Sequence, residues 1–382
     1  MEQLKTQIKV GIIRAFMYLC RIFKIDRNKV VIVSYYGKGF GDNGKGIALQ
    51  LMEKNPKLDI VWLVSDTENA AVPAPMRCVS YRSLRGYWEL ATAAVWIDNS
   101  RKSLGIIKRK GQFYIQTWHG MVALKRIEKD AVEHLSADYV RGAKHDSAMA
   151  DLILSGCGFF TKLCRRAFWY DGEILECGSP RLDVLFQQTP EKSLQVKEAL
   201  GIPANKKVLL YAPTFRAGGQ TECYIRDYQK ILDVLQERTG EEWVAAVRLH
   251  PNVAAQAGFI TYSETVINAT DYPDLYELIP AADVVISDYS SLMFDAGLIH
   301  KPVFLYATDI ADYAADRNFY FDIEKLPFPL AHNAEELLQN LAAFEEEPYQ
   351  KQLEQFNDSV EYYENGTASE TVANRIVEVL NQ

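Results

Sequence analysis

This 382-residue chain has no paired cysteines, no long apolar run and no excess of base. Its six cysteines, Cys20, Cys78, Cys157, Cys164, Cys177 and Cys223, are scattered without a Cys-x-x-Cys pair. That excludes a disulfide framework and, with no cleavable secretory segment in view, points to a reduced, cytoplasmic compartment. No stretch reaches the roughly 18 consecutive apolar residues that cross a bilayer, so the chain is not expected to span one. The 42 Lys and Arg are outnumbered by 50 Asp and Glu, a net charge of -8. A duplex-binding surface needs clustered base, so nucleic acid is excluded as a partner. Repeats, low-complexity tracts and long single-sign runs are missing too, which removes collagen, coiled coil and wholesale disorder. So are HExxH, a paired Cys/His zinc set, the P-loop and the GxSxG elbow. No tightly bound metal or other cofactor is expected; dependence on a divalent cation stays open, with Asp288 as the residue that could hold one.

What is present is 48% apolar and 24% charged, ordinary globular composition in a chain too long for one compact core. Two domains are therefore expected. Residues 1–25 stand apart from both. They carry Lys5, Lys9, Arg14, Arg21 and Lys24 against Glu2 alone, a net of +4 that leaves the other 357 residues at -12. At helical pitch Leu4, Ile8, Ile12, Ala15, Leu19 and Ile22 form one stripe, with Phe16 and Phe23 beside it and most of the bases opposite. A basic amphipathic helix of this kind lies on an anionic cytoplasmic leaflet, each base attracted to head groups by about 1 kcal/mol. Packing on its own domain, or service as a partner helix, is the competing reading, since Val10, Ile13 and Met17 interrupt the polar side.

Beyond this helix, short β-branched runs alternate with helical stretches, the pattern of parallel sheets covered by helices. Strands are predicted at Val30–Ser34, Ile60–Ser65, Val95–Asp98, Phe113–Thr117 and Ile174–Cys177, then at Val208–Ala212, Trp243–Leu249, Val284–Ser287 and Val303–Tyr306. The polar segment Gln187–Ala204 reads as a linker with an entering helix, and Ser369–Leu380, after the Asn365-Gly366 turn, as a capped amphipathic helix. The expected domains are thus 1–25, 26–186 and 187–382. Two doubly wound domains facing each other would set their strand ends around a cleft.

Polar or small residues follow directly on a predicted buried strand at four places. The loop Tyr36–Gly44, including Gly39, Asp42 and Asn43, exposes backbone N–H groups through its glycines; it reads equally as a ligand loop or a plain turn. In QTWHG a strand delivers His119, followed at once by Gly120, which would let a substrate come close; an imidazole there could take a proton from a hydroxyl nucleophile. In RLHPN, after Arg248, Pro251 keeps His250 out of helical geometry at a strand end. With Arg216 of YAPTFR, which also contains Thr214, that histidine could stabilise a diphosphate leaving group. In SDYSSLMFD, Asp288 is followed by Ser290 and Ser291 opening a helix whose first N–H groups and dipole favour an anion. Asp295, one turn along, could bind ribose hydroxyls. His134, His145, His300 and His332 read as surface or structural residues.

Taken in order, QTWHG followed by Leu124-Lys125, YAPTFR, RLHPN, SDYSSLMFDAGLIHKPVFLY, the Asp309/Tyr313 pair and RNFYFD (Arg317–Asp322) resemble the CDP-glycerol glycerophosphotransferase family of teichoic acid primases and polymerases. The resemblance covers roughly residues 30–380. It implies an α/β fold of the GT-B class: two doubly wound Rossmann-like domains facing across a cleft, here with an N-terminal amphipathic helix. It places the CDP-alditol donor in the C-terminal domain, with the family's phosphate-binding serines at Ser290 and Ser291; Thr214, Arg216, Arg248, Asp288 and Asp295 are the further donor-binding candidates there. A lipid-linked (undecaprenyl diphosphate) saccharide acceptor falls to the N-terminal domain, near Gly39, Asp42, Asn43, Gly120 and Lys125. The family's two essential histidines map onto His119 and His250, and its peripheral attachment to the inner face of the membrane matches the first helix. This sequence departs from the family pattern where Met121-Val122-Ala123 precedes Leu124-Lys125 and where Asn318 replaces a glycine.

The expected reaction is attack of an acceptor hydroxyl, deprotonated by His119, on the β-phosphorus of CDP-glycerol with release of CMP. Charge on the phosphate oxygens would be met by His250, Arg216 and the helix opening at Ser290. The same residues are compatible with CDP-ribitol as donor, which would need only a larger pocket. They also suit a GT-B nucleotide-sugar glycosyltransferase or epimerase, or a silent nucleotide-binding scaffold.

Overall fold

The computed structural model describes residues 2–216, 221–249, 257–311, 313 and 318–382. The chain divides into two compact units, Met1–Met121 with Ile127–Asp183 and Glu361–Gln382, and Val122–Arg126 with Val184–Val360. Each unit is built on one parallel sheet. The first holds β1 (Asp26–Val33), β2 (Asp59–Val64), β3 (Arg77–Ser80), β4 (Ala93–Asp98), β5 (Phe113–Gln116), β6 (Leu152–Ser155) and β7 (Glu173–Glu176) in the order β3-β2-β1-β4-β5-β6-β7. The second holds β8 (Lys207–Tyr211), β9 (Trp243–Val247), β10 (Val266–Asn268), β11 (Val284–Ser287), β12 (Val303–Tyr306) and β13 (Leu330–Ala331) in the order β10-β9-β8-β11-β12-β13. Both are doubly wound, and each reverses direction once, between β1 and β4 and between β8 and β11. Ligands of such sheets bind outside the strand C-termini at that reversal.

The first sheet is covered on both faces, and period-2 alternation assigns its side chains. Val30, Ile32, Ile60 and Trp62 point into one core with Ile47, Ala48 and Leu51 of the helix Asp42–Lys54. Val31, Val33, Val61 and Leu63 point into the other with Tyr87, Leu90 and Ala91 of the helix Leu84–Thr92. Every predicted strand is present to within a few residues. The four strands not predicted are short: β3 and β10 are edge strands, β13 has two residues, and β6 has only the four residues Leu152–Ser155.

Two expectations about organisation are corrected. The stretch 361–382, assigned from sequence to the C-terminal domain, belongs to the first unit. Ala368, Val372, Ala373 and Ile376 of the helix Ala368–Leu380 pack in the core beside Ile47 and Leu51, and Asp183 accepts hydrogen bonds from the Ala368 and Ser369 amides at 3.0 and 2.7 Å. Conversely, Val122–Arg126 leave the first unit for the second. There Lys125 bridges to Phe319, and the Arg126 and Tyr320 amides bond to the Asn318 and Leu124 carbonyls.

The N-terminal helix, Glu2–Leu19, docks on its own unit by the residues that broke its polar side. Ile13 and Met17, with Cys20 just after the helix, are buried beside Val31, Leu90 and Trp96, at about 1.5–3 kcal/mol for each large apolar side chain. The stripe Leu4, Ile8, Ile12, Leu19 and Ile22 stays outside, 54–82% exposed. Among the described residues no helix is long and apolar enough to cross a membrane.

Candidate active site

In the first unit the reversal between β1 and β4 is bridged by Asn99, which follows β4. Its side-chain oxygen accepts from the Tyr35 amide at 2.8 Å and its Nδ2 donates to Asp42 Oδ1 at 2.9 Å. The backbone carbonyl of the same Asn99 lies 2.7 Å from His119 Nδ1. A carbonyl only accepts, so Nδ1 carries the proton and Nε2 of the neutral ring holds the lone pair. Burial pushes the His119 imidazole below its ordinary value, against the Asn99 hydrogen bond and the nearby Asp42 carboxylate, which favour the charged form. At neutral pH the ring is therefore a competent base.

The peptide segment carrying His119 is held on all sides. Trp118 stacks on the imidazole with centroids 4.5 Å apart, and the Trp118 amide donates to Gln116 Oε1 at 2.9 Å. Beneath it lies a buried ion cluster in which Arg101 pairs with Glu128 at 2.8 Å and Asp146 at 3.0 Å. Asn43, fully buried, donates to the Trp118 carbonyl at 2.9 Å and accepts from the Arg181 amide at 3.0 Å. Trp118 (φ +53°), Tyr35 (φ +44°), Tyr36 (φ +58°) and Asp42 (φ +56°) all adopt left-handed backbone. That conformation is unfavourable for non-glycine residues, and strain of this kind concentrates at functional sites.

In the second unit the reversal between β8 and β11 is closed by Thr214 and Asp288. The Asp288 carboxylate accepts from the Thr214 amide at 2.9 Å, the Thr214 hydroxyl at 2.9 Å and the Tyr289 amide at 2.7 Å. Arg216 adds an ion pair to Asp288 at 2.9 Å and a two-nitrogen pair to Asp309. Burial works to raise the Asp309 carboxyl, but Arg216 and the Tyr289 hydroxyl hold it below its ordinary value. Tyr289 stacks on Tyr313 at 3.7 Å, and Lys125 Nζ sits 3.6 Å from the centre of the Tyr313 ring. Next to Tyr289, the Ser290 hydroxyl accepts from the Leu292 amide at 3.3 Å as the helix Leu292–Leu298 begins.

Several predicted site residues therefore hold other site residues. Asn43 is a buried clamp between loops, its side chain engaged in three backbone hydrogen bonds, to the Thr117 and Trp118 carbonyls and from the Arg181 amide. Asp288 and Arg216 spend their polar atoms on protein partners, and Arg248 donates through Nη1 to the Ala269 and Tyr272 carbonyls. Asp295, buried, accepts from the Tyr276 hydroxyl at 3.2 Å. Gly39 shares the loop of Asp42, its carbonyl accepting from Trp62 Nε1 at 2.9 Å; Gly120 directly follows His119 and is half-buried. Lys125, expected beside the acceptor residues, sits in the second unit because Val122–Arg126 pair there. His250, with Pro251 and Asn252, lies outside the described residues, as does Arg317. Asn99, Tyr35 and Arg181 join the site without having been expected there, although Asn99 and Tyr35 directly follow predicted strands; Arg181 lies in the turn Pro180–Leu182 beyond β7.

The model of the family described as CDP-Glycerol:Poly(glycerophosphate) glycerophosphotransferase matches residues 14–378. The chain is 31% identical over 362 residues to the teichoic acid poly(glycerol phosphate) polymerase of Staphylococcus epidermidis, covering 91% of this chain but only 50% of that protein. Against the protein of the same name from Bacillus spizizenii it is 30% identical over 383 residues, covering 96% and 97%. The chain thus spans half the length of one relative and nearly all of the other. Among solved structures, a variant of the Wall Teichoic Acid Polymerase TagF soaked with CDPG superposes with a TM-score of 0.85 at 28% identity, over 100% of this chain and 98% of that one. The two parallel sheets and this match give the chain the expected GT-B fold.

Proposed function

This chain belongs to the CDP-Glycerol:Poly(glycerophosphate) glycerophosphotransferase family, and on that premise we propose that it transfers glycerol phosphate from CDP-glycerol to a hydroxyl of a lipid-linked acceptor in teichoic acid synthesis. The observation that carries the proposal is the His119 ring, protonated at Nδ1 by its bond to the Asn99 carbonyl and presenting the Nε2 lone pair where the first sheet reverses.

In this reaction Nε2 removes the proton of the acceptor hydroxyl as its oxygen attacks the β-phosphorus. A new P–O bond forms, the bond from that phosphorus to the bridging oxygen breaks, and CMP leaves with the bridging oxygen. The product is a phosphodiester, and the proton on His119 passes to solvent. The second unit supplies donor binding: Lys125 and the first-turn N–H groups after Ser291 attract phosphate, while Asp288 and Asp309 hold Arg216 and thereby the YAPTFR loop. His250 is assigned the leaving-group side by its motif alone. Positioning and fixed charge account for most of the acceleration, as in other phosphoryl transfers, and no tightly bound metal is called on.

The exposed stripe Leu4, Ile8, Ile12, Leu19 and Ile22, accompanied by the exposed bases Lys5, Lys9, Arg14, Arg21 and Lys24, supports peripheral attachment to the cytoplasmic face of an anionic membrane. The test of function is product mass spectrometry on a synthetic lipid-linked disaccharide supplied separately with CDP-glycerol, CDP-ribitol and UDP-sugars. Addition of a glycerol phosphate unit with equimolar CMP is expected. Transfer of a sugar without phosphate, or of ribitol phosphate alone, would overturn this reading.

A further inference from the structure

One carboxylate reaches His119 by two routes. Asp42 Oδ1 accepts from Asn99 Nδ2 at 2.9 Å, and the carbonyl of that same Asn99 holds His119 Nδ1 at 2.7 Å. Asp42 Oδ2 accepts from Arg181 Nη1 at 3.3 Å, and the same nitrogen donates to the His119 carbonyl at 2.6 Å. The Asp42–Arg181 pair is 3% exposed on each side, and Oδ2 also accepts from the Tyr35 hydroxyl at 2.8 Å, with the Tyr35 ring 5.6 Å from the imidazole. Both oxygens are thus engaged within the protein, and the left-handed backbone of Asp42, at the first residue of its helix, turns the carboxylate toward Asn99.

We propose that Asp42 is a positioning residue for His119, fixing its ring plane and its Nδ1–H tautomer through Asn99 and Arg181, and is not a contact to the acceptor. This rests on the reading of His119 as the base. A backbone carbonyl stands where other hydrolytic and transfer sites place a carboxylate against the base, and it fixes the tautomer as well as a carboxylate does. What it lacks is charge, and Asp42 supplies that one residue further out. The charged groups facing His119 are Asp42 from the loop after β1, Glu128 from the turn after Ile127 and Arg181 after β7. The two carboxylates favour the imidazolium, and the guanidinium opposes it.

The test uses the full chain with 15N-labelled histidine. In the wild type, His119 is expected as the Nδ1–H tautomer. In Asp42→Asn the His119 titration moves to lower pH, both tautomers are populated, and kcat falls about 10- to 100-fold, less than loss of the base itself, with KM for donor and acceptor within about twofold. The acidic limb of the kcat profile follows the same shift. Asn99→Ala, which keeps the carbonyl but cuts the link to Asp42, shows the same tautomer mixing and serves if Asp42→Asn is poorly folded. An unchanged tautomer and titration in both variants overturns the proposal, as does a raised acceptor KM with kcat intact. His119→Ala with wild-type turnover would instead remove the base reading, and the NMR outcome would still decide the role of Asp42.

Discussion

The guanidinium of Arg216 meets the Asp309 carboxylate through two nitrogens, Nε to Oδ2 at 2.6 Å and Nη2 to Oδ1 at 3.1 Å. With Asp288 at 2.9 Å on its Nη1, this arginine is 6% exposed and sits between two carboxylates. Removing it would strand both. Arg216→Ala is therefore expected to destabilise the second unit by about 3–5 kcal/mol, the range for breaking a buried pair from one side. Urea unfolding followed by a probe in the second unit measures it, and a loss under about 1 kcal/mol would show that the carboxylates find other partners or protonate.

His119→Ala should lower kcat by about two to four orders of magnitude, the contribution of a positioned general base. Circular dichroism should stay close to wild type, because the ring is half-buried and, among the described residues, is held by a single hydrogen bond, to the Asn99 carbonyl. Wild-type turnover in a folded variant would exclude the role.

The pH dependence follows from the environment of the same ring. Burial, the largest influence, lowers its titration, with Asp42 and Glu128 pulling the other way and Arg181 assisting. The base must be neutral, so activity is lost as pH falls through that lowered value. The acidic limb of kcat/KM is expected below about 6.5, the ordinary imidazole value, with a plateau across neutrality. A limb above 7 would mean that another group limits the rate.

How much of this was readable beforehand depended on whether a signal was local. Val30–Ser34 and Val284–Ser287 announce buried parallel strands by composition alone, and His119 announces itself by standing at a strand end before glycine. The sheet order, and hence the pairing of Asn99 with the loop of Asp42, is a long-range property that spacing does not carry. The helix at Ala368–Leu380 is legible as a helix, but its place in the first unit is not, since an amphipathic face does not name its partner. Asp42, Asn43 and Arg216 stand out in the sequence as polar residues in loops after strands, but that their partners are other protein groups depends on contacts distant in sequence.

The first helix separates packing from surface chemistry residue by residue. Met17, 1% exposed, anchors it, and Met17→Ala is expected to destabilise the first unit by about 2–5 kcal/mol. Ile8 and Ile12, 54% and 62% exposed, should tolerate Glu with stability changes within about 0.5 kcal/mol, while the double variant loses binding to liposomes containing anionic lipid. Co-sedimentation at low and physiological salt reads both contributions, since attraction of the bases weakens with ionic strength. Undiminished binding by the double variant would remove the helix from the membrane reading.

The C-terminal helix gives the sharpest check on how the chain is divided. Ile376 is fully buried and packs with Val372 and Ala373 against the core that holds Ile47 and Leu51. Ile376→Ala should leave a cavity there, at about 2–5 kcal/mol, and the loss should fall on the first unit although the residue lies near the end of the chain. Hydrogen exchange resolves the two units: faster exchange is expected in β1, β2 and the helix Asp42–Lys54, with β8, β9 and β11 unchanged. Were residues 187–382 a self-contained domain, as composition and linker placement alone suggest, the acceleration would appear in the second sheet instead. The Glu364 carboxylate, which accepts from the Ser179 amide at 2.8 Å and the Ser179 hydroxyl at 2.7 Å, ties the same returning segment to the loop after β7. Glu364→Ala should therefore shift exchange in that loop and leave the second unit untouched.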